Sequence, residues 1–209
     1  MNNLFFWIIV VLAPLFGWTQ CQKMLTSTQG VSISMFVLAG LFTAILTWLA
    51  VSAFIKQRNR MTLQVVIIYV LGILSYAAMI VVALANGKYQ WDGRDTLASS
   101  LVTVLVVVII NIAHRKNLKW HDPIVKGFLA LAVRVVPNLL MANKIWIYGG
   151  NGVSLWFIII FNTLTLSRIS QIILTARKNG WDRNPYGMMV GEVGNLLSWL
   201  VVTVVWIVK

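Results

Sequence analysis

Hydrophobic positions in this chain neither alternate nor fall in one stripe; they run on, with polar residues confined to short breaks. Apolar runs cover 4–20, 31–55, 61–85, 96–113, 124–142, 153–176 and 186–208. At 1.5 Å per residue most of them are long enough to cross a hydrocarbon core of about 30 Å. Backbone groups cannot stay unpaired in lipid, and runs this long and unbroken do not suit barrel strands, so the pattern predicts seven helices. The fold class expected is all-α and integral to a membrane. Seven spans use nearly the whole chain and leave no room for a soluble domain. The first run is the shortest, but Met1 to Gly17 lacks a basic leader and a clear small-residue cleavage site, so it reads as a helix rather than a signal peptide.

The breaks between runs reveal a second level of order. Gly30-Val31-Ser32 recurs as Gly152-Val153-Ser154, 122 residues later. Each copy follows a short polar linker with a lysine (Lys23, Lys144), opens a long apolar run, and is followed by a charged turn and another run. That third run carries Ile73-Leu74-Ser75-Tyr76 in the first copy and Leu196-Leu197-Ser198-Trp199 in the second. Two three-helix units, 1–86 and 123–209, are therefore expected, joined by a linker helix within 87–122. A single odd helix between them makes both units cross in the same sense, a 3-1-3 parallel repeat about an axis along the membrane normal.

Composition agrees. The mean hydropathy is +0.84, and 59% of residues are hydrophobic against 11% charged, outside the range of soluble domains. The net charge of +12 sits in short loops, where Lys and Arg set orientation rather than grip nucleic acid. Ten basic residues flank the N-terminus and the loops after spans two, four and six, against five on the other side. The N-terminus is expected inside, in a cell membrane. Trp18, Trp91, Trp120, Trp146, Trp181 and Trp206 fit interfacial belts. Cys21 is alone, His114 and His121 sit at a loop, and no cluster has metal-ligand spacing; neither metal nor cofactor is expected.

Charges inside spans carry the candidate chemistry. Glu192 is the only acidic residue within a predicted span, and an ionisable group there is by default a functional candidate. Asn195 and Trp199 follow at i+3 and i+7, on the same helical face. Arg134 and Arg168 are deep enough to reach Glu192, or else to bind a carboxylate or phosphate bidentately; Arg168 alternatively snorkels to the headgroups. Pro137 removes a backbone hydrogen bond in mid-helix, next to Arg134, and Asn138 shares that face at i+4. Asn162 and Thr165 add polar groups in span six, and Gln64, Gly72, Ser75 and Tyr76 in span three. The substrate-binding set expected is Asn195, Glu192, Trp199, Arg134, Asn138, Asn162, Ser75 and Tyr76. Pro14 and Pro137 are expected as hinges, helped by Gly40, Gly72 and Gly194, and Arg168 as a gating residue.

With Pro137-Asn138 standing like a Pro-Gln step ahead of Gly152-Val153-Ser154, the chain resembles the SWEET and PQ-loop superfamily of seven-helix transporters. Thr19-Gln20 stands at the matching place ahead of Gly30-Val31-Ser32, without the proline. The resemblance implies a 3-1-3 fold and a transporter of a small polar solute working by alternating access. Asn195 matches the seventh-helix asparagine of sugar-transporting members, whereas Gly72 stands opposite it in the third helix. SWEETs place the N-terminus outside, contrary to the loop charges here; the similar Pnu-type vitamin transporters place it inside. Sugar, vitamin precursor and amino acid remain open as solutes, with the arginines favouring an anionic or zwitterionic one. Proton coupling through Glu192, passive diffusion and homo-oligomerisation also stay open. The alternative is a receptor of the same fold that binds without transport. With no acidic pair and no Ser/His/Asp set within the spans, enzymatic activity is not expected.

Overall fold

A computed structural model of the chain describes residues 3–86, 91–119 and 122–209, except the side chains of Asn3, Met61 and Asn179. Trp120 and His121, named above as interface and loop residues, lie outside the described residues, as does Lys88, one of the five basic residues counted on the less basic side. Among the described residues there are seven α-helices: α1 (Asn3–Thr26), α2 (Ile33–Gln57), α3 (Arg60–Ala85), α4 (Gly93–Arg115), α5 (Pro123–Tyr148), α6 (Leu155–Asn179) and α7 (Arg183–Val208). All seven are long and apolar enough to cross a membrane. The chain has the build of an integral membrane protein.

Helices start where polar side chains can cap them. The side chains of Ser32, Asn59, Asp92, Asp122, Ser154 and Asp182 each accept a hydrogen bond from a backbone N–H of the following turn, satisfying donors that a helix leaves orphaned. The helices run further than the apolar runs. Lys144, read above as a linker residue, lies within α5 and is 3% exposed. Its hydrocarbon stem and a buried partner let the helix continue past the last apolar residue.

Packing order follows from which faces are apolar and small. α3 lies between α1 and α2, α7 lies between α5 and α6, and the two groups meet where α1 packs on α6 and α2 on α5. Six helices thus close a ring in the order α1, α3, α2, α5, α7, α6. Among the described residues, α1 does not pack on α2, nor α5 on α6. α4 stands outside the ring against α5 and α2, with only 17% of its apolar window buried against 44% for α2 and α5. Leu, Val and Ile side chains such as Leu97, Val104 and Ile207 point outwards and are well exposed, which suits a surface solvated by lipid.

The tightest contact in the ring joins α5 to α7. A Cβ on Gly127 would collide with the Gly187 carbonyl, and one on Gly187 with the Pro123 carbonyl; Gly191 sits against Ala130. Small residues at four-residue spacing let the two backbones touch, the usual means of helix association where lipid removes any hydrophobic drive.

Candidate functional site

One end of the ring, hereafter the basic end, carries the loops after α2, α4 and α6 with most of the arginines and lysines. From that end a cavity of about 590 Å³ enters the ring. Pro123, Gly180, Asp182, Asn184 and Pro185 line its mouth. The two sides of the cavity differ in chemistry. α2 and α3 contribute a mainly apolar wall of Phe42, Leu46, Leu49, Val65 and Ile68, relieved by Tyr69. α5, α6 and α7 contribute Lys126, Arg134, Arg168, Gln171 and Glu192.

Arg134 lies about 16 Å in from the start of α5, and Glu192 about 14 Å from the start of α7. Their side chains meet: Arg134 Nη1 donates to Glu192 Oε1 at 2.8 Å. Arg168 Nη1 stands 3.7 Å from the same oxygen, so two guanidinium groups share one carboxylate. The Arg134 guanidinium also lies over the Phe42 ring, 5.6 Å from its centre, a favourable place for a cation. Glu192 Oε2 and Gln171 Nε2 are buried without a hydrogen-bond partner. Such groups are costly to leave unsatisfied.

A turn deeper than Arg134, the ring is sealed by an uncharged polar cluster. Asn138 Nδ2 donates to Asn195 Oδ1 at 3.2 Å and to Ser198 Oγ at 2.9 Å, and Asn195 Nδ2 donates to Thr165 Oγ1 at 3.2 Å. These four residues from α5, α6 and α7 are almost fully buried. Beyond them lies an aromatic plug. Trp199 stacks on Phe161 with ring centres 4.4 Å apart and meets Phe157 edge-on at 5.3 Å; Phe16 joins both phenylalanines and Tyr76. Inside this sealed stretch, Trp199 Nε1 and Asn162 Oδ1 have no hydrogen-bond partner.

The opposite end is tied by a second set of charges. Lys144 of α5 pairs with Asp95 of α4 and stands 3.5 Å from Asp92. Asp95 Oδ1 accepts from Ser34 Oγ at 2.7 Å and from Ser32 Oγ at 3.2 Å, at the start of α2. Asp95 is fully buried. Gln20 of α1 does the matching work for α6: its amide donates to the Gly152 carbonyl at 2.8 Å and accepts from Ser154 N at 3.0 Å.

The structure thus brings Arg134, Glu192 and Arg168 together in the cavity, and sets Asn138, Asn195 and Trp199 just beyond its floor rather than on its surface. Asn162 is on α6 within the sealed part, donating to Thr203 Oγ1 at 3.1 Å. Ser75 donates to the Ala13 carbonyl at 2.9 Å and fastens α3 to α1, while Tyr76 packs against Gly40; neither lines the cavity. Pro14 lies on the exposed side of α1, and Pro137 is buried within α5. Gly40, Gly72 and Gly194 are close-packing positions against Tyr76, Thr43 and Leu131. Two residues stand beyond the expected set: Gln171, which follows Arg168 at i+3 and is legible by helical spacing, and Asp95, which lies one residue outside the predicted span. Among the described residues, no group of three or more His, Cys, Asp or Glu is placed to hold a metal ion.

No protein-family model, curated protein or solved structure matches the chain.

Proposed function

We propose that this protein is a membrane carrier of a small polar solute, built on the 3-1-3 plan of the SWEET and PQ-loop superfamily and caught open at the basic end. One observation carries the reading: a charged cavity that enters the ring from one end and stops, near mid-depth, at a polar cluster backed by a plug of aromatic side chains. A structural core has no use for a half-open shaft ending on two arginines and a glutamate. A carrier needs it, because its solute must reach a midplane site from one side while the other stays shut. Buried polar atoms without partners, Trp199 Nε1 and Asn162 Oδ1, lie in the sealed half, where a solute path would continue.

The repeat reading draws support from packing. Each three-helix unit has its third helix in the middle, and the contacts between units, α1 with α6 and α2 with α5, exchange under a two-fold operation. Corresponding residues share environments: Val31 and Val153 are 2% and 1% exposed, and Leu74 and Leu197 are 59% and 58% exposed. The two Gly-Val-Ser turns touch, with Gly152 N donating to the Gln29 carbonyl at 2.8 Å. On the loop-charge argument the basic end faces the cell interior, so the form described here is the inward-open one.

The test is uptake by proteoliposomes across sugars, nucleosides, amino acids and vitamin precursors. Saturable uptake of at least one class, absent from empty vesicles, is expected. Saturable binding with no flux for any solute would move the assignment to a receptor of the same fold.

A further inference from the structure

The cavity's charge does not balance. Among the described residues, its lining holds three cations, Lys126, Arg134 and Arg168, against two carboxylates, Asp182 and Glu192. Asp182 is engaged at the mouth, accepting from Asn184 N at 2.8 Å as the cap of α7. At the floor, Arg134 takes the close bond to Glu192, and Arg168 reaches only 3.7 Å from the same oxygen. The Arg168 side chain keeps 28% of its surface exposed, twice that of Arg134. A surplus positive charge at this depth is expensive unless an anion joins it.

The groups beside Arg168 suit such an anion. Gln171 is on the same face of α6 at i+3, and its side-chain Nε2, a donor, has no partner. A guanidinium and an amide N–H together offer a carboxylate or sulfonate charge-assisted hydrogen bonds. Across the cavity, Phe42, Leu46, Leu49 and Ile68 present a surface that would take an apolar body and reject a second charge. The mouth is lined by loop and helix-end residues, Gly180, Asp182 and Asn184, so the ligand enters from water and not from the lipid.

We infer that the solute of this cavity is an amphipathic organic monoanion, its charged group held by Arg168 and Gln171 and its apolar part lying on the α2–α3 wall. This deepens, and rests on, the carrier reading of the same cavity. It excludes plain sugars as the principal cargo, since a neutral polyol would leave Arg168 uncompensated and its own hydroxyls against leucines.

The experiment compares two probes of nearly equal size, benzenesulfonate and the neutral benzenesulfonamide, binding to the full-length protein in phosphatidylcholine nanodiscs. Benzenesulfonate is expected to bind at least tenfold more tightly, and Arg168→Gln should bring the two within about twofold while the Arg134–Glu192 pair keeps the protein folded. Gln171→Leu should weaken the anion alone, by a smaller factor. Equal or tighter binding of the amide by the unmodified protein overturns the inference, as does an anion preference that survives Arg168→Gln. Flux in proteoliposomes separates this from the parent reading: anion-selective binding without transport removes the carrier and leaves the anion site, whereas transport of neutral solutes alone removes the anion site and leaves the carrier.

Discussion

Replacing Lys144 with Met puts the clearest number on the physics of this fold. The lysine is 3% exposed and pairs with Asp95, which is fully buried. Deleting the ammonium leaves Asp95 with hydrogen bonds from the hydroxyls of Ser32 and Ser34 and from Asp92 N, but without the neighbouring positive charge that offsets its desolvation. Breaking one side of a buried pair costs roughly 3–5 kcal/mol. Replacing both partners is different: in the double variant Asp95→Asn/Lys144→Met, the Asn side chain keeps an acceptor for the two serines and gives up the bond from Asp92 N, while the charge left behind, Asp92, is 26% exposed and keeps Arg94 at 3.9 Å. That variant should lie within about 2 kcal/mol of the parent, the bond from Asp92 N being the main loss. As a control, Arg183→Met removes a pair whose arginine is 60% exposed, 3.5 Å from Asp122, and should cost under about 1 kcal/mol. Equilibrium unfolding in mixed micelles, followed by tryptophan fluorescence, measures all three. If Lys144→Met alone falls within 1 kcal/mol of the parent, or the double variant is no better than the single, the buried-pair argument fails.

Three more outcomes follow from the packing. Asn195→Ala removes an acceptor from Asn138 and a donor from Thr165; it should cost about 1–3 kcal/mol in the same unfolding assay and abolish uptake in proteoliposomes. Gly127→Ala sets a methyl group against the Gly187 carbonyl, so it should destabilise by several kcal/mol, more than Gly93→Ala, which meets open space; thermal unfolding in detergent compares them. Cys21, buried in α1 towards the end away from the cavity, should resist an impermeant maleimide in the form described here and react faster when transported solute drives that end open, read by mass shift against time.

The seven helices were legible because lipid imposes a rule that composition cannot hide: backbone must pair within the span, so long apolar runs have one outcome. Helix ends were not legible. Lys23 and Lys144 read as linker residues because charge ordinarily marks water, yet α1 and α5 carry them inside their last turns or deeper. The Arg134–Glu192 pair could be read because a charge stands out in an apolar run. Asp95 could not, because it lies one residue outside the apolar run and its burial depends on three helices meeting there. Ser75 shows how a polar residue in a span can serve packing instead. A polar residue in a span suggested a pathway, but Ser75 spends its hydroxyl on backbone carbonyls of α1 and α3. Only packing tells these uses apart, and packing is a property of pairs of helices rather than of one.

Counterflow is the most direct test of a carrier with a site open to one side at a time. Proteoliposomes loaded with unlabelled solute, taken from the uptake screen, are diluted into a trace of the same solute carrying a label. An alternating-access carrier exchanges one for the other, so labelled solute should rise inside above its equilibrium level and then decay, and Asn195→Ala should erase the overshoot. Labelled solute that enters without an overshoot, or that binds saturably and never enters, would contradict the account.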